Sequence, residues 1–239
     1  MPLRLHSQDS DLMLAAGRRY KRFQGLTKNR FSIQVDREAD TTALPHAFAC
    51  DFEGARVEAD DSSIHFSGVR HEYALDSLLR MFLSWALLPE QGFLLHAATV
   101  VQRGRAYVFF GRSGAGKSTV SRLSPRGSVL TDEISLLKCV GGEWRAFGTP
   151  FWGEFRAEGQ NTSAPVAGFF RLVQSPSNRR ECLRPAELLK ALLPCVLFFS
   201  SQTADNERLL QILIGACQKS EGYNLYFQKN RSFWEVLPS

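Results

Sequence analysis

The chain has 239 residues, of which 44% are hydrophobic and 22% are charged, and its formal net charge is +5. This composition is typical of a globular protein and excludes wholesale disorder. The apolar runs are too short to cross a bilayer and the N-terminus lacks the apolar core of a signal peptide, which predicts a cytoplasmic protein without a membrane partner.

Charge and cysteine content also bear on the partners. Positive charge is concentrated in residues 18–30, as expected for a solvated basic face or for attraction to an acidic partner. No zinc-finger, helix-turn-helix or aromatic RNA-binding signature is present, so we expect no nucleic-acid partner. The five cysteines are scattered without a C-x-x-C pair, which favours reduced thiols and argues against a zinc site.

The first third of the chain has the pattern of short strands followed by one helix. Residues 1–17 show no clear pattern. Alternating runs separated by turn residues then predict a small antiparallel meander, with strands at residues 31–35, 47–52, 55–59 and 63–66. Apolar residues at helical spacing predict a helix over residues 73–88, ended by Pro89. We therefore divide the chain into a β-rich N-terminal region, residues 1–72, and a core, residues 73–239.

A hairpin pattern leads into the most informative stretch of the sequence. Residues 92–101 and 106–110 read as two strands joined by a tight turn. The next residues, Gly111-Arg112-Ser113-Gly114-Ala115-Gly116-Lys117-Ser118, fit G-x-x-x-x-G-K-[ST], the phosphate-binding loop of nucleotide enzymes. A short helix pattern follows until Pro125. A strand before the motif and a helix after it are the context that such a loop requires.

Each residue type in this loop has a physical role. The glycines can adopt backbone angles that let the loop wrap around a phosphate, and the backbone N–H groups then point at the anion. Lys117 brings a full charge to the β- and γ-phosphates, and Ser118 offers a hydroxyl ligand to Mg²⁺. We assign nucleotide binding to Gly111, Ser113, Gly114, Ala115, Gly116, Lys117, Ser118 and Thr119.

Two acidic residues, Asp132 and Glu133, follow the next strand pattern. An acidic residue at a strand end beside a phosphate loop either holds Mg²⁺ or takes the proton from the attacking hydroxyl. Because the two side chains are adjacent on an extended chain, they should point in different directions. One can then face the nucleophile while the other faces the metal or the solvent, and either could instead be a simple turn residue.

Two further residues are candidates for the same site. His96 lies on the strand that should run beside the phosphate-loop strand, where it is either a core histidine or a catalytic one. Glu154 lies in a loop whose glycines permit close approach to a ligand. Our candidate catalytic residues are Asp132, His96 and Lys117, and our candidate metal ligands are Ser118, Glu133 and Glu154.

The rest of the chain alternates strand and helix patterns. A second hairpin is predicted over residues 134–147 and an apolar strand over residues 166–173. Pro185 predicts the start of a helix, because proline is favoured at the first helical position, and an amphipathic helix is predicted over residues 205–218. A late strand covers residues 225–227, and Phe233 and Trp234 should pack the tail onto the core.

Four local features resemble the HPr kinase/phosphorylase-like family, whose core is related to phosphoenolpyruvate carboxykinase. They are Leu95-His96-Ala97, the phosphate loop, Leu130-Thr131-Asp132-Glu133, and Gly148-Thr149-Pro150-Phe151-Trp152-Gly153-Glu154. The last two look like variants found in small HPr-kinase-like proteins of peptide-modification gene clusters. The resemblance covers residues 92–237.

This resemblance implies an α/β fold with a mixed-sheet P-loop core of the HPr kinase/phosphoenolpyruvate carboxykinase type. It implies ATP and Mg²⁺ as cofactors and phosphorylation of a serine hydroxyl on a peptide or small protein. Asp132 matches the position of the catalytic base, Lys117 and Ser118 match the residues that hold phosphate and Mg²⁺, and His96 matches an assisting residue. Family members often assemble into larger complexes, so a homo-oligomer is compatible with the resemblance.

The sequence departs from the family pattern in ways that leave the acceptor open. The second acidic residue is Glu133 rather than aspartate, and the glycine-rich signature tied to the reverse reaction and to HPr docking is not recognisable in residues 144–154. Transport ATPases and GTPases fit less well, because an L-S-G-G-Q-like stretch and an N-K-x-D motif are both missing. The remaining alternative is a non-catalytic or weakly hydrolytic nucleotide-binding accessory protein of a biosynthetic or transport cluster.

Overall fold

The computed structural model describes residues 3–24, 31–38, 47–60, 63–125, 127–152 and 159–238. Contacts divide the chain into two compact units. The first comprises Met1–Ala86 and Phe198–Asp205, and the second comprises Leu87–Leu197 and Asn206–Ser239. This division falls one helix later than the boundary between residues 72 and 73 that we expected from the sequence, and the functional domains stay a prediction.

The first unit contains a mixed sheet. Its described strands are β1 (Leu3–His6), β2 (Phe31–Val35), β3 (Phe48–Phe52), β4 (Ala55–Ala59) and β5 (Ile64–Ser67), in the spatial order β1-β2-β5-β4-β3. The pairs β1–β2 and β2–β5 are parallel, whereas β3–β4 and β4–β5 are antiparallel. The predicted antiparallel meander is therefore wrong for β2, because alternation marks a strand without specifying its neighbour.

Two helices belong to the same unit. Helix α1 (Ser10–Arg19) lies where the sequence showed no clear pattern, and the carboxylate of Asp9 caps it by accepting from Leu12 N at 3.0 Å. Only Leu12 and Ala16 of α1 are buried. Helix α2 (Glu72–Ala86) buries Leu75, Leu78, Leu79 and Phe82, as its periodicity predicted.

A polar network joins α1 and α2 inside this unit. Asp76 is 3% exposed and accepts hydrogen bonds from the side chains of Arg19, Tyr20 and Arg80. The Arg19 pairing is bidentate, with Nε at 2.9 Å from Oδ1 and a terminal nitrogen at 2.5 Å from Oδ2. A buried carboxylate therefore depends on three donors for its stability.

The second unit is built on a larger mixed sheet. Its described strands are β6 (Gly92–Gln102), β7 (Arg105–Phe110), β8 (Val129–Thr131), β9 (Ile134–Val140), β10 (Glu143–Phe147), β11 (Ser163–Gln174), β12 (Arg179–Leu183), β13 (Val196–Leu197) and β14 (Gly222–Phe227). The spatial order is β10-β9-β6-β7-β11-β14-β12, with β8 and β13 also paired to β6. Its helices are α3 (Lys117–Leu123), α4 (Pro185–Leu192) and α5 (Thr203–Lys219), the last of which begins in the first unit.

The predicted hairpin before the phosphate loop is confirmed. β6 and β7 are antiparallel, with Ala97 opposite Phe110 and Gln102 opposite Arg105. β7 is parallel to β11, and β11 is parallel to β14. The sheet is therefore mixed, and the chain is an α/β protein with mixed sheets, as expected.

An aromatic cluster holds β7, β11 and the C-terminal tail together. The rings of Phe109 and Phe233 meet edge to face at 5.9 Å, and Trp234 meets Tyr107 at 5.5 Å. Val120 of α3 is buried in the same cluster. The tail, which forms a 3-10 turn at Arg231–Val236, is packed down as predicted.

Candidate functional site

The phosphate-loop sequence lies between the end of β7 and the start of α3. Gly114 and Gly116 have φ values of +76° and +119°, a region that glycine adopts readily and other residues avoid. A side chain at position 116 would also place its Cβ 3.1 Å from Cε1 of Phe227. The two glycines are thus required by the shape of the turn and by the packing beside it.

Lys117 folds back on the loop that carries it. Its residue is 8% exposed, and its Nζ donates to the carbonyl oxygen of Gly111 at 3.1 Å and reaches that of Arg112 at 3.5 Å. Burial lowers the pKa of Lys117, and the nearby carboxylate of Glu133 partly opposes that effect. The amine is therefore a buried cation held mainly by backbone carbonyl dipoles.

The other residues assigned to nucleotide binding share this loop and the first turn of α3. Ser113 is exposed in the turn, whereas Ser118 and Thr119 are partly buried at the start of the helix. The turn is closed by a hydrogen bond from Ala115 N to Arg112 O at 3.1 Å. All eight assigned residues thus lie on one short segment, as their adjacency in the sequence required.

Asp132 and Glu133 form the tight connection between β8 and β9, two strands that both pair with β6. Asp132 is 2% exposed. The Thr131 hydroxyl donates to Ile134 O at 3.0 Å, and Ala97 N donates to Glu133 O at 3.0 Å. The connection is therefore fastened to the neighbouring strand, with one carboxylate buried and the other nearer the surface.

His96 and Glu133 are brought together by this pairing. His96 lies opposite Ile134 in the β6–β9 register, and its Nε2 is 3.3 Å from Oε1 of Glu133. The two side chains are 38% and 29% exposed. Because Glu133 also acts electrostatically on Lys117, His96, Glu133 and the loop lysine belong to one region.

The structure adds two residues that sequence reasoning missed. Gln174, the last residue of β11, donates from Nε2 to Gly114 O at 2.8 Å and so ties the loop to the sheet. Burial raises the pKa of the Cys195 thiol, while the backbone of Gly111 and the charge of Lys117 oppose the rise. Neither residue belongs to a local motif, so no signal in the sequence pointed to it.

One predicted metal ligand, Glu154, lies outside the described residues. Among the residues that are described, no group of three or more histidine, cysteine, aspartate or glutamate side chains converges as a metal site. Within the same ranges, no helix combines the length and the apolar character that a membrane crossing needs.

Together, these features define a mixed-sheet α/β protein that carries a P-loop sequence at the end of a hairpin strand. A family model described as "SynChlorMet cassette protein ScmC" matches residues 76–217. Since this match spans more than half of the sequence, the chain belongs to that family.

Among solved structures, the chain is similar to the HPr(Ser) kinase/phosphatase from Coxiella burnetii, at 15% sequence identity. The alignment covers 51% of this chain and 87% of that one, with a TM-score of 0.30, which is too low to establish a common fold. A comparison with curated proteins finds no match.

Proposed function

We propose that this protein is an ATP-dependent kinase that transfers the γ-phosphate to a serine hydroxyl of a peptide or small protein. The observation that carries the proposal is the position of Lys117, whose buried amine lies 3.1 Å from Gly111 O on a loop of P-loop sequence. A buried cation held mainly by backbone carbonyl dipoles is suited to exchange those partners for the phosphate oxygens of ATP.

The oxygen donors near the loop fit Mg²⁺. The Ser118 hydroxyl and the Glu133 carboxylate are hard ligands, and Mg²⁺ in phosphoryl-transfer sites needs only one or two protein oxygens besides phosphate and water. When bound, the ion would neutralise charge that develops on the transferred phosphoryl group. In this proposal His96 orients Glu133, because the two side chains lie 3.3 Å apart.

Asp132 is the proposed general base. A serine hydroxyl is a poor nucleophile near neutral pH, so a carboxylate that accepts its proton speeds the transfer. The connection between β8 and β9 keeps Asp132 next to Glu133 in the chain, while its 2% exposure shields it from bulk water. The acceptor hydroxyl must therefore be brought to this carboxylate by the bound peptide.

The burial of Asp132, which is 2% exposed, supports a second candidate function. If the acceptor hydroxyl cannot reach Asp132, the protein is a nucleotide-binding accessory protein that hydrolyses ATP slowly or not at all. The family's description as a cassette protein is compatible with either role. Cytoplasmic location and homo-oligomer formation stay predictions.

The test is transfer of γ-labelled phosphate from Mg·ATP to synthetic serine peptides, beginning with peptides encoded beside the gene. The kinase proposal predicts phosphoserine that Lys117→Ala abolishes. ATP consumption without labelled peptide, or ATP binding without consumption, would instead support the accessory role. Unchanged Mg·ATP binding by Lys117→Ala in calorimetry would remove the loop from both proposals.

A further inference from the structure

A cavity of about 570 Å³ lies at the C-terminal end of α3. It is bordered by the end of that helix and by the 3-10 turn of the tail. Its lining residues are Arg122, Leu123, Ser124, Pro125, Arg231 and Trp234. The volume falls within the range of about 300–1,000 Å³ that small ligands and side-chain clusters occupy.

Two exposed guanidinium groups give the cavity its charge. Arg122 meets only the Thr119 hydroxyl, at 3.5 Å, and throughout the described ranges neither Arg122 nor Arg231 forms an ion pair with a carboxylate. By contrast, Arg184 is paired with Glu187 at 2.7 Å. The two cavity arginines are therefore available to an anionic ligand from outside the chain.

The remaining wall is apolar and well supported. The Trp234 indole packs against Phe109 at 5.9 Å and Phe233 at 4.9 Å, so the core holds the ring in place. Leu123 and Pro125 complete this side. A cavity with two cations and a fixed indole fits a carboxylate carried on an aliphatic stem, which describes a glutamate or aspartate side chain better than a free inorganic anion.

We propose that this cavity binds an acidic residue of the peptide acceptor, about three residues from the serine that is phosphorylated. The inference rests on the proposed kinase function. Helix α3 carries Lys117 at its start and Leu123 at its end, and six residues of helix span about 9 Å. An extended peptide covers about 3.3 Å per residue, so a peptide that runs along α3 in this proposal needs about three residues to join the two ends of the helix.

Binding is tested first, without catalysis. Fluorescently labelled peptides with a central serine carry glutamate or glutamine at the third position on either side, and their affinities are measured by anisotropy at low salt. We expect at least one glutamate peptide to bind about tenfold more tightly than its glutamine counterpart. The preference should disappear in Arg122→Gln/Arg231→Gln and persist in Arg208→Gln/Lys219→Gln, which removes the same number of charges from exposed positions of α5.

Equal binding of glutamate and glutamine peptides by the native protein would overturn the proposal, as would a preference that survives in the double variant. Weaker Mg·ATP binding in that variant, with peptide affinity unchanged, would overturn it too, because the cavity would then serve the nucleotide. Phosphorylation of the same peptides is measured separately. If binding depends on the glutamate but no phosphate is transferred to the serine, the cavity assignment stands and the kinase function is refuted.

Discussion

The amine of Lys117 donates a hydrogen bond to the carbonyl oxygen of Gly111 at 3.1 Å, so the cation of the loop is held by the first residue of the same loop. The contact joins the strand end to the helix start across the turn. The contact also gives a hydrogen-bond partner to a buried charge. Burial disfavours that charge, as the lowered pKa of Lys117 indicates. If Lys117 binds ATP as proposed, stability and nucleotide binding make opposite demands on this residue.

The first prediction concerns those opposite demands. Lys117→Met should abolish measurable Mg·ATP binding, because it removes the charge that meets the phosphates. The same change should leave the melting temperature equal to that of the native protein or raise it, because a buried charge no longer has to be desolvated. Calorimetry and thermal denaturation measure the two effects, and Lys190→Met on the exposed face of α4 is the control. A melting temperature several degrees lower would contradict the second part.

The second prediction separates the two adjacent acids. Asp132→Asn keeps the shape of the side chain but removes the proton acceptor, so phosphate transfer should fall about 10²–10⁴-fold, or ~3–5 kcal/mol of barrier, with Mg·ATP binding retained. Glu133→Gln should instead raise the Mg²⁺ concentration needed for half-maximal transfer. Single-turnover rates measured across a Mg²⁺ titration distinguish the two effects. If the two variants exchange phenotypes, Glu133 is the base and Asp132 the metal ligand.

The third prediction concerns the polar network of the first unit. Asp76→Ala should lower the free energy of unfolding by about 3–5 kcal/mol, because it leaves the buried guanidinium of Arg19 without its carboxylate. Urea denaturation measures the change. Asp11→Ala, at an exposed first-turn position of α1, should lower stability by about 1 kcal/mol or less, because it removes only a favourable charge at the helix N-terminus. Similar values for the two variants would show that the network contributes little.

The fourth prediction is an alkaline loss of stability at Tyr223. Burial, together with the hydrogen bond that its hydroxyl donates to Glu221, raises the pKa of Tyr223 from 10.0 to about 12. The folded protein therefore retains a proton that the unfolded chain releases, so this stabilisation is complete below pH 10 and is lost as the pH rises towards 12. Urea titrations of the native protein and of Tyr223→Phe across this range should show a steeper loss in the native protein. Parallel curves would mean that Tyr223 ionises normally.

Local patterns were sufficient for the segment that carries the loop. The strand 106–110, the glycine turn and the short helix were predicted from neighbouring residues alone, since glycine angles, apolar runs and a helix-ending proline act over a few residues. The β6–β7 hairpin was predicted for the same reason, because a tight turn places its two strands side by side.

Pairings between distant segments were not accessible in this way. Alternation predicted β2 and β5, but their parallel pairing depends on the path of the intervening chain, which no local pattern reports. Helix α1 was missed because its apolar residues, 12–16, are consecutive, and a short continuous apolar run does not by itself show a helical period.

The sequence by itself determined that this chain carries a G-x-x-x-x-G-K-[ST] segment, and it was sufficient to predict which residues of that segment meet a nucleotide, because all of them lie within nine consecutive positions. Only the tertiary structure placed His96 against Glu133 and brought Arg122 and Arg231 to the lining of one cavity. Strand register and the packing of the aromatic tail decide those distances. Register and packing both depend on contacts between residues that are far apart in the sequence. Those contacts involve the whole core, so no single stretch of residues specifies them.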